Sequence, residues 1–450
     1  MLKDYDYHIF SREQDHILAL ANGQAFLVDE LSKDIIETSS DSQEKVFEIL
    51  KEKHSRENIR EAFAEWQKLK KGIIIKDHQK DTPPRNLRAL CLNITHKCNL
   101  ACSYCFAERL TEENAPSMTV ETVCKSLDFL FENSHDVHRL QVDFFGGEPL
   151  LVFDKVKAGV EYARKLEQKL DKEILFSLTT NATLLTDEII DFVKKHNISL
   201  ILSLDGDKTV NDLHRKYRNG KGSFDEIIKN ILKVKEKLHP MDYYIRGTFT
   251  ARSLNLKETA DFFHRMGFYN ISLEPVTGPD TYEFSLKKEH LGNLHEEYIK
   301  LANWMKDKNI QFYHFNMELE NPLCLTRRIT GCGAGVEYVV VDPRGDIYPC
   351  HQFVENEEFL LGNIFHGINN HKLCSTFRES TIYQKEDCPR CWARFYCSGG
   401  CHFQHYVRTG SINKPWGGYC QMFRDRLETS LWYNIRRNSN INGESKISKK

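Results

Sequence analysis

The chain has 450 residues, enough for a barrel-sized core with flanking units, two to four domains at ~100–200 residues each. Lys+Arg 62 and Asp+Glu 64 leave a formal charge of −2, so no global excess points to nucleic acid or to an anionic membrane surface. No run approaches the ~18 apolar residues of a membrane helix, and MLKDYDYHIF has no signal-peptide core, which sets a cytoplasmic location as the expectation.

Residues 1–78 read as a small α/β unit. Apolar runs at Ile17–Leu20 and Ala25–Val28 flank the turn Asn22-Gly23 and predict a hairpin. Val46, Phe47, Ile49 and Leu50 mark one amphipathic helix, and Ile59, Phe63, Trp66 and Leu69 a second, with Ile73–Ile75 as a closing strand. KDTPPRN at 80–86 reads as a linker. Over 88–315 strands alternate with helices. The strand candidates are Leu90–Ile94, Leu140–Phe144, Ile174–Leu178, Ser199–Leu204, Tyr244–Phe249 and Ile271–Glu274. Six βα repeats predict a parallel sheet, open or closed into a partial barrel. Residues 316–432 are loop-rich and Cys-rich, and 433–450 read as a polar, basic, disordered tail.

Fourteen cysteines without a secretory signal argue for metal or catalysis over disulfides. Cys98-x3-Cys102-x2-Cys105 follows the first predicted strand, and three thiolates in one loop can hold three irons of a 4Fe–4S cluster while the fourth stays open. Zinc is the rival, although a structural zinc site wants four ligands and only His96 lies close. The second strand ends in Phe144-Phe145-Gly146-Gly147-Glu148-Pro149, where two glycines allow close backbone approach and an acid can meet an amine.

CNLACSYC (98–105) and GGEP (146–149), at the ends of consecutive strands, resemble the radical S-adenosylmethionine superfamily. The resemblance implies a partial (β/α)6 barrel whose open cluster iron chelates the amino and carboxylate groups of S-adenosylmethionine and yields a 5′-deoxyadenosyl radical. Cys98, Cys102 and Cys105 would then be the catalytic ligands. Carried over residue by residue, Tyr104 matches an aromatic position near the adenine, and Gly146, Gly147 and Glu148 the amine cradle. Thr180 and Asn181 match polar residues ending the third strand, Ser203 and Arg215 a pair that binds the methionine carboxylate, and Val276 an apolar wall. A lone Arg is otherwise a solvated charge, and Asp205-Gly206 is otherwise a turn.

Further on, Cys332-x12-Gly345-x4-Cys350, Cys388-x2-Cys391-x5-Cys397-x3-Cys401 and Cys420 resemble the SPASM extension of radical enzymes. That resemblance implies two auxiliary 4Fe–4S clusters, three in all. Cys388, Cys391, Cys397 and Cys420 would hold the distal one, and Cys332, Cys350 and Cys401 the nearer one. Either Cys324 closes the nearer cluster, or its last iron stays open to a substrate thiolate. A pair of zinc sites is the plainer alternative. Cys91 and Cys124 read as core, and Cys374 is undecided.

A hairpin with helices also fits a winged-helix unit that binds DNA. Residues 1–75 carry eleven Lys/Arg against fifteen Asp/Glu, the wrong sign for phosphate. The segment instead resembles the winged-helix-like peptide-recognition domain of peptide maturases, which binds a leader by strand addition. Together the three parts most resemble the SCIFF-peptide maturases, sactipeptide- or ranthipeptide-type enzymes that build thioether bridges in Cys-rich ribosomal peptides. The implied partners are a precursor peptide and a flavodoxin- or ferredoxin-like electron donor, with no nucleic acid and no membrane. The alternatives are an anaerobic sulfatase-maturing, formylglycine-generating enzyme, which does not ordinarily need the front domain, and an iron–sulfur-sensing DNA-binding regulator.

Overall fold

In the computed structural model, which describes residues 2–75, 86–107, 115–317, 325–326 and 328–442, the chain opens with an antiparallel meander of β1 (Tyr7–Arg12), β2 (Asp15–Leu20) and β3 (Ala25–Val28). The expected hairpin is β2–β3, turned at Asn22-Gly23 with Gly23 at a φ of 99°. Three helices follow: α1 (Glu30–Glu37), α2 (Gln43–Leu50) and α3 (Arg56–Gly72). Each starts where a side-chain oxygen, of Asp29, Ser42 or Ser55, accepts an early backbone N–H. Their apolar stripes close on Leu18 and Leu20 in a core of their own. The strand expected at Ile73–Ile75 does not form. Ile73 caps α3, and Ile73 and Ile75 pack on that core without a pairing partner. The expected linker 80–86 lies, apart from Asn86, outside the described residues.

The βα repeats run β4 (Ala89–Thr95), α4 (Val120–Asn133), β5 (Arg139–Gly146), α5 (Phe153–Leu170), β6 (Glu173–Thr180), α6 (Asp187–Lys195) and β7 (Ile198–Ser203). They continue through α7 (Lys208–His214), α8 (Phe224–Lys237), β8 (Tyr243–Phe249), α9 (Leu256–Arg265), β9 (Asn270–Pro275) and α10 (Leu291–Met305). β4 to β9 pair in sequence order, all parallel, which their crossover helices make possible. Leu90, Leu92, Val142, Phe144, Leu178, Leu200 and Leu202 are wholly buried in one core with the helices. Residues at the C-terminal ends of all six strands, or just past them, line a single cavity. Six flat strands at ~4.8 Å spacing would span ~24 Å, so the sheet curves to bring those ends together.

The sheet does not stop there. β10 (Gln311–Phe312) extends it beyond β9, and β11 (Tyr338–Val341) pairs in parallel with β4. β12 (Asp346–Tyr348), β13 (Gly362–Asn363) and β14 (Gly367–Ile368) add antiparallel strands, making a mixed sheet of eleven. The Cys-rich part adds α11 (His371–Glu379), α12 (Arg394–Cys397), α13 (His402–Thr409) and α14 (Gly417–Asn442). The tail expected from residue 433 is helical as far as Asn442. Tyr433 is buried, and Asn434 Nδ2 donates to Phe315 O at 2.7 Å, so the start of this helix segment is packed where composition alone predicted none, while residues 443–450 lie outside the described residues. The front unit docks on the same region. Asp6 pairs with Arg394, both buried, Trp432 Nε1 donates to Asp15 Oδ2 at 2.9 Å, and Tyr396 OH donates to Leu20 O at 3.1 Å. Among the described residues no helix is long and apolar enough to cross a membrane.

Candidate active site

The loop after β4 carries Cys98, Cys102 and Cys105, and all three line a cavity of ≈180 Å³ at the C-terminal ends of the parallel strands. The loop is fastened along its length. Ala101 N donates to Lys216 O at 2.7 Å, and Ser103 N donates to His214 O at 3.2 Å. Ser103 Oγ lies 2.7 Å from His214 Nδ1. Asn99 Nδ2 donates to Thr183 Oγ1 at 2.8 Å, and Asn181 Nδ2 donates to Asn99 Oδ1 at 2.9 Å. Burial pushes the Cys98 thiol up to about 11 and the Cys102 thiol up to about 12, the latter against the pull of Arg215. A metal centre here must therefore displace protons as it binds.

Gly146 and Gly147 line the cavity, and their missing side chains serve the protein first. A Cβ at Gly146, whose φ is 135°, would sit 2.3 Å from Thr95 O, and one at Gly147 would sit 2.1 Å from Lys97 O. The glycines let the end of β5 lie flat on the start of the cysteine loop, where Gly147 N donates to Thr95 O and Glu148 N to Lys97 O, both at 2.7 Å. Glu148 itself is wholly buried and is not in the lining. Its Oε1 accepts from Thr180 Oγ1 at 2.7 Å and from Leu150 N at 3.0 Å, and its Oε2 from Asn181 N at 2.7 Å. The acid expected to meet an amine thus fixes the ends of β5 and β6 from behind, and burial raises its pKa.

Thr180, Asn181, Ser203, Tyr104, Arg215 and Val276 all reach the cavity. Tyr104 OH donates to Asp205 Oδ2 at 2.7 Å, Arg215 NH1 donates to Tyr104 OH at 3.0 Å, and Thr248 N donates to Asp205 Oδ1 at 2.9 Å. Asp205, read as a turn residue, is therefore the buried acceptor that orients Tyr104. Arg215 is also buried, and its Nε has no partner among the described residues. Sequence reasoning missed Arg246, Glu274, His351 and Gln352 in the same lining. A polar residue ending a parallel strand was the available signal for Glu274, and the position after Cys350 for His351. His314 Nε2 lies 3.0 Å from Glu274 Oε1, and Ser272 Oγ donates to that oxygen at 2.7 Å. The His351 ring packs 5.0 Å from Phe145 and 5.2 Å from Phe106, and burial pushes its pKa down to about 4, so it is neutral.

The other thiols form two further groups. Cys388, Cys391, Cys397 and Cys420 line one cavity of ≈490 Å³, together with His8 of β1. Cys350 is pushed up by burial first and then by Cys401 and Cys332, while burial and Cys332 raise Cys401. Those three are therefore close neighbours. Cys105 and Cys350 flank one apolar cluster with Phe106 and Phe145, so the second group adjoins the first cavity. Lys385 faces both C-terminal groups, and its buried Nζ donates to Ile412 O at 2.7 Å; burial lowers its pKa to about 8. Cys324 lies outside the described residues.

Residues 92–246 match the model of the radical SAM superfamily, and residues 332–392 match that of the SPASM iron–sulfur cluster-binding domain. The chain is 26% identical over 325 residues to the subtilosin biosynthesis protein AlbA of Bacillus subtilis, covering 69% of this chain and 66% of that one. It is 24% identical over 374 residues to the cysteine-type anaerobic sulfatase-maturating enzyme of Clostridium novyi, covering 77% of this chain and 96% of that one. The fold is shared with Streptococcus suis SuiB bound to S-adenosylmethionine, with a TM-score of 0.55 and 18% identity over 92% of this chain and 98% of that one.

Proposed function

We propose that this chain, which carries a radical SAM domain and a SPASM iron–sulfur domain, matures a ribosomal peptide by forming thioether crosslinks from Cys sulfur to carbon. In this reading residues 1–78 bind the leader, 88–315 are a partial barrel holding the radical chemistry, and 316–432 hold two auxiliary clusters. The observation that carries it is the adjacency of two thiol groups around one cavity, with Cys98, Cys102 and Cys105 on its wall and Cys350 packed behind it. Structural coverage supports a leader-bearing peptide as substrate: anSMEcpe with bound AdoMet spans 80% of this chain, and SuiB bound to its precursor peptide SuiA spans 91%.

The residues present fit the implied groups. Cys98, Cys102 and Cys105 would hold the catalytic cluster, and Cys388, Cys391, Cys397 and Cys420 the distal auxiliary one, with Cys332, Cys350 and Cys401 at the nearer one. When bound, these groups and S-adenosylmethionine supply the low-potential electron, the carbon radical that removes a hydrogen atom, and an outlet for the surplus electron. The chain's own residues do the rest. Tyr104, held by Asp205 and Arg215, offers a fixed aromatic edge at the cavity. Arg215 adds a buried cation suited to a carboxylate, and Ser203, Thr180 and Asn181 add hydrogen-bonding groups on the same wall. Val276, Phe106 and Phe145 keep the space dry, which protects a carbon radical from side reactions. Among the described residues β3 of the front unit pairs on one side only, and that edge is where an extended leader can add as a strand.

Anaerobic protein incubated with S-adenosylmethionine, a reductant and a Cys-rich precursor peptide with its leader tests the reading. Loss of two hydrogens per crosslinked Cys, with a sulfur–carbon bond in fragment spectra, is the expected product. Exchange of the Cys sulfur for an aldehyde oxygen would instead establish the sulfatase-type reaction, which the Clostridium novyi similarity favours.

A further inference from the structure

His96, Asp342 and Glu355 come from three separate segments. His96 follows β4 directly, Asp342 follows β11 directly, and Glu355 sits in the loop beyond Cys350. One ligand atom from each lies within 4.8 Å of the other two, the one such group among the described residues. His96 is 2% exposed and Asp342 0%, yet both ring nitrogens of His96 and Oδ2 of Asp342 lack a hydrogen-bond partner. Native interiors pair nearly all their buried polar atoms, so an unpartnered His96 ring nitrogen grouped with an unpartnered Asp342 Oδ2 points to an occupant. Asp342 Oδ1 is already engaged, accepting from Arg344 N at 2.8 Å and Asp346 N at 2.9 Å to close the β11–β12 turn. That leaves Oδ2 for the group. Glu355 Oε1 stands 3.5 Å from His96 Nδ1 without hydrogen-bonding geometry, and Glu355 holds a φ of 59°, which a non-glycine residue seldom adopts unaided. Arg344 NH1 also lies 3.3 Å from Glu355 Oε1, but its side chain is 58% exposed and free to turn to water.

We propose that His96, Asp342 and Glu355 bind one divalent cation of the Mn²⁺ or Fe²⁺ type, which pins the cysteine loop to the β11–β12 turn and to the segment after Cys350. One imidazole and two carboxylates favour ions of this hardness over thiophilic ones. Two carboxylates also balance a dication, and three protein donors leave positions for water. The site lies outside every thiol group assigned above and does not depend on the peptide reaction.

The probe is Mn²⁺, which does not compete for cysteine thiolates. Desalted anaerobic protein with its iron loaded is titrated with MnCl2, and free ion is read from its six-line paramagnetic resonance signal. Wild type should bind about one Mn²⁺ per chain, and Asp342→Asn, His96→Ala and Glu355→Gln should each weaken that binding by about tenfold or more. Glu355→Gln, on a partly exposed side chain, decides the matter if the buried variants lose iron or fail to fold. No binding by wild type, as expected if an ordered water satisfies these atoms, overturns the proposal. Binding unchanged by Glu355→Gln overturns it equally.

Discussion

Glu148→Gln separates an acid that shapes the cavity from one that touches a ligand. The amide can keep Oε1 as acceptor for Thr180 Oγ1 and Leu150 N, but its NH2 must then face Asn181 N–H, donor against donor. Losing one hydrogen bond to a charged acceptor costs about 1.5–3 kcal/mol. Removing a buried carboxylate whose pKa burial has already raised returns part of this, leaving a net cost of about 1–2 kcal/mol. At about 1.4 kcal/mol per decade, backbone amides over residues 178–184 should exchange about five- to thirtyfold faster. Glu148→Ala strands three buried donors at about 1–3 kcal/mol each and should open the segment outright. Hydrogen–deuterium exchange read by mass spectrometry follows both variants without any cofactor. Unchanged exchange in Glu148→Gln, with affinity for S-adenosylmethionine lost, would refute the positioning role.

Replacing Cys98, Cys102 and Cys105 together by Ala should remove about four of about twelve irons and end 5′-deoxyadenosine formation, measured by iron analysis and chromatography. Asp6→Ala leaves the buried Arg394 guanidinium without its carboxylate, and should cost about 3–5 kcal/mol, seen as a lower melting temperature. Asp143, beneath the cavity, has its pKa raised from 3.8 to about 6 by burial, so its protonated form adds stability below pH 3.8 that is lost as pH rises through about 6. Asp143→Asn should therefore gain up to about 3 kcal/mol over wild type at pH 8 and lose that advantage by about pH 4 in urea titrations. Lys385→Met removes a buried cation facing two thiol groups and should lower auxiliary reduction potentials by on the order of tens of millivolts in a redox titration.

The parts of this molecule that declared themselves in sequence are those whose physics is local. All six strands β4 to β9 formed where apolar runs stood, within two residues at each end. Cys98, Cys102 and Cys105 share one loop, as their short spacing required, and all three line one cavity. The misses are long-range. β1 carries alternating His8, Phe10 and Arg12, which reads weakly until its partner β2 is known. Ile73–Ile75 has strand composition, but packing on the front core, not backbone pairing, uses its side chains. Asp205 became an anchor only because Tyr104, more than a hundred residues earlier, folds onto it. Nothing near Glu148 in sequence reveals that Thr180 and Asn181 would saturate its oxygens.

The pairing of β11 with β4 sets a condition on how the protein is made. Val339 lies opposite Leu90, so the chain must lengthen by 249 residues before that edge of β4 is covered. At about 5–20 residues per second, a ribosome needs about 12–50 s to deliver it. Through that interval the rest of the parallel sheet can assemble, while Leu90, Cys91 and Leu92 present open backbone beside apolar side chains. Such an edge recruits other strands, including those of sibling chains on the same message. Shortening the gene after residue 315 would make the interval permanent, and the truncated product should collect as aggregate, whereas the full-length chain should depend on chaperones mainly while the ribosome is still at work.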